Sequence, residues 1–176
     1  MKIGKPHSPL IRVDGDPVLR AVAQPVPKDM FGTSALEKIL LDMRQALHDE
    51  PFGVAIAAPQ IGVSYRIFMV RGYVFANKRR TDPRAEELSD VVCINPTITY
   101  RSEKKEHIEG EGCLSVPNVY GTIERSARVR LVAQDEKGKK MMKNGSGLMA
   151  EIFEHECDHL DGVLFIDKAK NIHAGK

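Results

Sequence analysis

The apolar positions of this chain of 176 residues form two stripes of helical period, separated by segments of strand-like period. Between Ser34 and Asp49, the residues Leu36, Ile39, Leu40, Met43 and Leu47 recur at i, i+3, i+4, i+7 and i+11. That is one apolar face at 3.6 residues per turn, and Thr33 or Ser34 is placed to cap it. A second helix is predicted from Leu148 to Leu160, opened by Ser146 and Gly147 and closed by Gly162. Ile152, Phe153, Leu160, Val163, Leu164 and Phe165 mark this stretch as largely buried. Val54 to Ala58 is a short apolar segment, and Arg66 to Val70, Val91 to Tyr100, His107 to Glu111 and Tyr120 to Asp135 read as strands, the last with Ala127, Val129 and Leu131 alternating against polar neighbours. Glu136 to Lys139 is a turn into a further strand from Lys140. Residues 71–90 are charged and contain Asn77 and Pro83, so an exposed loop is predicted there, and the tail around His173 is predicted to fray. The expected fold is α+β, with mostly antiparallel strands packed around a central helix, 148–160, in one domain spanning residues 1–176.

Composition changes this picture little. Hydrophobic residues make up 42% and charged residues 28%, as in an ordinary globular protein. A net charge of +2 gives no argument for nucleic acid, and the basic pieces at Lys78-Arg79-Arg80 and Lys137 to Lys143 read as solvated turns. No apolar run is long enough to span a bilayer, and Met1 to His7 lacks a secretory apolar core. Cys93, Cys113 and Cys157 form no paired framework, which suggests free thiols in a reducing compartment, and the cytoplasm is the expected location.

The chemistry enters at His155-Glu156-Cys157-Asp158-His159, an H-E-x-x-H motif. On a helix, histidines at i and i+4 share a face and can chelate one divalent cation, with the glutamate beside them, an arrangement suited to metal-assisted attack of water on a carbonyl. A chain with 6 histidines produces this spacing by accident about 0.015 times. Two solvated histidines on a surface helix are the bland alternative, disfavoured because unpaired imidazoles in a buried helix are costly. A catalytic centre needs a third protein ligand. No glutamate follows Glu156, Phe165 occupies the position of a third zincin histidine, and Asp161 is too close to wrap round. The third ligand is therefore sought upstream. Cys93 and Cys157 read as small core residues, whereas Cys113 lies between Gly112 and a turn-prone segment, where a thiolate can ligate.

These residues carry a resemblance. Glu111-Gly112-Cys113-Leu114-Ser115 matches the E-G-C-L-S motif of peptide deformylases, and His155 to His159 with Leu160 and Gly162 matches their H-E-x-D-H-L-x-G. Gly53-Val54-Ala55-Ile56-Ala57-Ala58-Pro59-Gln60 resembles their glycine-rich first motif, and Asp16-Pro17-Val18-Leu19-Arg20 their early segment. The motifs occur in the family's order along nearly the whole chain. The resemblance implies hydrolysis of the formyl group from nascent peptides that begin with N-formyl-methionine. It also implies metal ligation by Cys113, His155 and His159, with Fe(II) as the usual metal and Zn(II), Ni(II) or Co(II) as substitutes, a set that suits one thiolate and two imidazoles. Glu156 is expected to act as general base, and Gln60 and the Leu114 backbone N–H to donate to the developing oxyanion.

Around that centre, Asp158 is expected to orient a histidine or fix the helix, and Glu111 to pair with Arg125. Gly53, Val54, Ala55, Glu111, Leu148 and Ile152 are the expected substrate-binding residues. Three positions depart from the family pattern: Ala55 stands for its second glycine, Glu154 for its usual glutamine, and Glu151 where it tends to be apolar. Glu151, Glu154 and Glu156 are expected to add negative charge near the metal. The competing readings are a zincin-type metalloprotease and a non-catalytic metal-binding homologue. The expected partner is the N-formyl-methionyl peptide, with at most a transient ribosome contact, no specific nucleic acid and no membrane. A monomer or weak dimer is expected.

Overall fold

The computed structural model describes residues 6–85 and 87–175; Met1 to Lys5 of the polar N-terminus and Lys176 of the basic tail lie outside them. In chain order the elements are α1 (Ser34–Asp49), β1 (Ala55–Ala57), β2 (Ile67–Val70), α2 (Gly72–Phe75), β3 (Val91–Arg101), β4 (Lys105–Cys113), β5 (Val116–Ser126), β6 (Arg128–Gln134), β7 (Lys140–Ser146), α3 (Leu148–Leu160) and β8 (Lys170–Ala174). The strands form an antiparallel sheet in the order β1-β2-β3-β6-β7 and a second, also antiparallel, in the order β4-β5-β8.

Both main helices form where periodicity predicts them. Thr33 caps α1 by accepting a hydrogen bond from the Leu36 N–H at 3.3 Å, and the stripe Leu36, Leu40, Met43 and Leu47 is buried against Ile56, Ile67 and Met69. The second helix, α3, is the last of the chain and packs on β1, β3, β6 and β7 of the larger sheet and on β5 of the smaller. Its Phe153 is fully buried, with its ring 6.2 Å from that of Phe68 on β2. Burial of one such ring stabilises the fold by about 2 kcal/mol. Gly162 turns the chain out of α3 at φ 75°, and a Cβ there would lie 2.6 Å from the Arg20 carbonyl oxygen, so both conformation and contact demand glycine.

The structure corrects three expectations. The charged stretch 71–90 is not all exposed loop: it begins with α2, and Gly72, Val74 and Ala85 are buried. The region around His173 is strand β8, paired with β5 through Tyr120↔His173 and Val119↔Ala174. All five of its residues are exposed, so backbone pairing rather than side-chain burial holds it. The smaller sheet also starts earlier and runs longer than expected, with β4 reaching Cys113 and β5 beginning at Val116.

Candidate active site

The end of β4 faces α3, and there Cys113 meets the two histidines. One ligand atom from each of Cys113, His155 and His159 lies within 4.8 Å of the others, and Cys113 Sγ is 3.2 Å from His159 Nε2. The helical repeat explains the selection. At roughly 100° per residue, positions 148, 151, 152, 155 and 159 fall within an arc of about 100°, while 154 falls about 60° outside it, beyond 151.

The donors suit a divalent cation. His155 Nδ1 is 2.8 Å from Glu111 Oε1, which leaves its Nε2 free on the side of Cys113. Burial works to lower the His155 pKa, but hydrogen bonds with Cys113 and Glu111 outweigh it and raise it well above the ordinary value, so a cation between the donors would compete with a proton for the ring. Burial, with the charge of His155, drives His159 the other way, to a neutral ring with a lone pair to offer.

Glu111 and Arg125 form the expected pair. Arg125 donates to Glu111 through Nη2 at 2.6 Å and Nε at 3.0 Å, and through Nη1 to Asp158 at 2.7 Å, whose other oxygen accepts from Lys168 at 2.7 Å. A chain of charge-assisted hydrogen bonds thus runs from His155 to Lys168. Burial raises the Glu111 pKa, but the hydrogen bonds from His155 and Arg125 prevail and bring it down to about 2.

Glu156 is 3% exposed, and its Oε2 has no hydrogen-bond partner among the described residues. Burial pushes its pKa up to about 7, against the lowering effect of His155. A carboxylate poised near neutrality can both take and return a proton. Gln60 is locked by its own backbone: its Oε1 accepts from the Ala57 N–H at 2.8 Å, so its Nε2 faces Ser115 Oγ at 3.1 Å and Cys113 Sγ at 3.6 Å.

These groups lie along a cleft of about 330 Å³. Gly53, Val54, Ala55, Gln60, Leu114, Leu148 and Ile152 line it. Glu111 does not: it is buried behind His155, with its oxygens taken by Arg125 and the imidazole, so its expected place among the substrate-binding residues is corrected. Nor does Glu154 add charge to the cleft. It accepts from Arg101 Nε at 2.8 Å and from the Ser126 N–H at 2.7 Å, on the far flank of α3. Glu151 does line the cleft. Sequence reasoning missed Phe52, Asn118 and Tyr120, which also line it, and Ser115, which anchors Gln60. Ser115 was detectable, being the last residue of E-G-C-L-S; the others carry no local signal.

An H-E-x-x-H helix set against a strand-borne thiol, in an α+β fold, defines a metal-dependent hydrolase. Residues 9–174 match the family model for polypeptide deformylase, and the chain belongs to that family. It is 41% identical over 162 residues to a peptide deformylase of Thermus thermophilus, covering 90% of this chain and 80% of the relative. Its fold is similar to a peptide deformylase from Legionella pneumophila, with a TM-score of 0.77 and 35% identity over 92% of this chain and 85% of the other. It is also similar to a Met-Ala-Ser-bound class I type b peptide deformylase from Acinetobacter baumannii, with a TM-score of 0.77 and 30% identity over 96% and 99% of the two chains.

Proposed function

We propose that this chain, acting as one catalytic domain organised around α3, is a peptide deformylase that hydrolyses the formamide of N-formyl-methionyl peptides to formate and a free amino terminus. The observation that carries this reading is the approach of Cys113, His155 and His159 beside the buried, unpartnered carboxylate of Glu156. A closed structural metal site would need a fourth protein ligand and no such carboxylate. Cys113 Sγ and the Nε2 atoms of His155 and His159 would hold the metal, with Fe(II) favoured and Zn(II), Ni(II) or Co(II) compatible with the donors. When bound, the ion supplies Lewis acidity, polarising the formyl carbonyl and making water a stronger acid. Glu156 takes a proton from the attacking water and returns it to the departing amine. Gln60 Nε2 and the Leu114 N–H donate to the carbonyl oxygen as negative charge develops there. Val54, Leu148 and Ile152 form apolar wall for the methionine side chain. The cytoplasm is the location this reading proposes for an enzyme acting on nascent chains; among the described residues no helix is long and apolar enough to cross a membrane.

The test is formate release from formyl-Met-Ala-Ser by anaerobically purified, Fe(II)-loaded protein. Absence of formate with metal bound overturns the reading, and cleavage of internal peptide bonds favours a protease. Cys113→Ala is expected to weaken metal binding by ~100-fold or more, since even the outer partners of ligands are worth 10- to 100-fold; metal titration checks this. Gln60→Ala is expected to lower kcat by ~100-fold with metal content retained, the usual effect of deleting one oxyanion donor; steady-state kinetics with metal analysis reads it.

A further inference from the structure

Two basic pieces of the sequence, Lys78-Arg79-Arg80 and the stretch ending at Lys143, lie far apart in the chain, yet the fold brings them to one cavity of about 550 Å³. It stands behind the wall of the catalytic cleft, since Val54 and Leu148 line both. Lys78, Arg79, Arg80 and Lys143 line it, and among the described residues no aspartate or glutamate does. Local structure explains the convergence. Helix α2 ends at Phe75, and Asn77 turns the chain at φ 56°, so the Lys78 N–H returns to the Tyr73 carbonyl at 2.7 Å. Strand β7 supplies Lys143. The floor is firm: Tyr73, Phe75 and Met149 line the cavity and pack on the buried core beneath it.

The cations are held without being neutralised. Lys143 Nζ lies 4.5 Å from the centre of the Phe75 ring. The Arg80 guanidinium lies 5.4 Å from the centre of the Phe52 ring, and its Nη1 donates to the Pro51 carbonyl at 2.7 Å. Of the four, only Lys78 has a carboxylate within reach among the described residues, Asp82 at 3.9 Å. A carboxylate ligand would answer one of these cations, whereas a phosphate, with up to two charges and three free oxygens, answers several. The aromatic and apolar floor suits a flat ring attached to that phosphate. We propose that this cavity is a nucleotide site, with the phosphate on Arg79, Arg80 and Lys143 and the base against Tyr73, Phe75 and Met149. A free nucleotide and a unit of single-stranded RNA present the same phosphate and ring.

The test uses the whole metal-loaded protein and reads binding rather than turnover, so it stands apart from the deformylase reading. Calorimetry compares adenosine 5′-monophosphate, uridine 5′-monophosphate, adenosine, inorganic phosphate and a uridine octanucleotide. The nucleotides are expected to bind at least ~10-fold more tightly than adenosine, the worth of one or two hydrogen bonds to a charged group. Their affinity should fall as salt rises. Arg79→Gln with Lys143→Gln should weaken binding by ~10-fold or more, while Lys137→Gln, an exposed change outside the cavity, should not. Photolabelling with 8-azidoadenosine 5′-monophosphate should mark peptides from 73–80 or 140–149. Octanucleotide binding well above that of the mononucleotides identifies RNA as the source, and equal binding identifies a free nucleotide. The proposal is overturned if no nucleotide binds, if inorganic phosphate or a triglutamate peptide binds as tightly, or if Lys137→Gln costs as much as the double variant. The wild-type comparisons and the labelled peptides decide it even where a variant fails to fold.

Discussion

Glu156→Gln should abolish most turnover while leaving the metal in place, with kcat falling by ~10²–10⁴. Glutamine keeps the shape of the side chain and removes only the capacity to accept the proton of the attacking water. Because Glu156 is not among the three clustered ligands, metal content should match that of the parent. The same variant carries a stability signature. Burial raises the folded pKa of Glu156 from 4.5 to about 7. For an acid with a raised folded pKa, the folded state binds the extra proton. The cost is therefore absent below about pH 4.5, grows as pH rises, and is complete above about pH 7. In metal-free protein Glu156→Gln should thus be more stable than the parent above neutrality, by about 3 kcal/mol at most, and equal to it in mild acid. Denaturant melts at two pH values, paired with formate assays and metal analysis, check both parts. Full activity in the variant would remove Glu156 from the chemistry, and equal stability at both pH values would remove the burial argument.

The parts of this structure that could be read in the sequence are those in which function or packing repeats with the helical period. The ends of α1 and α3 fall where the apolar stripes and caps place them, and His155 and His159 share a face for the same reason. Cys113 could be reached by elimination because nothing after the motif offers a ligand. The rest depends on contacts without a local signature. Glu151, Glu154 and Glu156 look alike in sequence, yet steps of roughly 100° send 151 and 156 to opposite edges of the cleft and 154 about 60° further round from 151, out of the cleft and onto Arg101. That much could have been worked out from the repeat alone. The closing of the cleft by His7 and Glu50 could not, since the two residues are 43 positions apart. Strand β8 was hidden for a different reason: Lys170 to Ala174 bury no side chain, so they have no hydrophobic alternation to read.

Arg125→Met should be the most damaging change away from the reacting groups. Arg125 is 4% exposed and divides its donors between Glu111 and Asp158. Removing it leaves the Glu111 carboxylate buried with only His155 to answer its charge, and breaking such a buried pair costs about 3–5 kcal/mol. Asp158 keeps Lys168, so the loss should centre on Glu111. The pH dependence follows from the lowered pKa of Glu111, about 2 against an ordinary 4.5. An acid with a depressed folded pKa stabilises the fold above about pH 4.5, and that stability is lost as pH falls toward 2. Arg125→Met removes this contribution, so its deficit against the parent should be largest at neutral pH and should narrow in acid. Adding Glu111→Gln to Arg125→Met removes the stranded charge and should recover part of the stability. It should not recover metal affinity, because Glu111 is also the group that fixes His155, and loss of such a partner costs about 10- to 100-fold. Chemical denaturation across pH, with metal titration of the single and double variants, separates the two roles. If the double variant regained metal affinity along with stability, Glu111 would be a structural counter-charge alone, and the alignment of His155 would have to come from α3 itself.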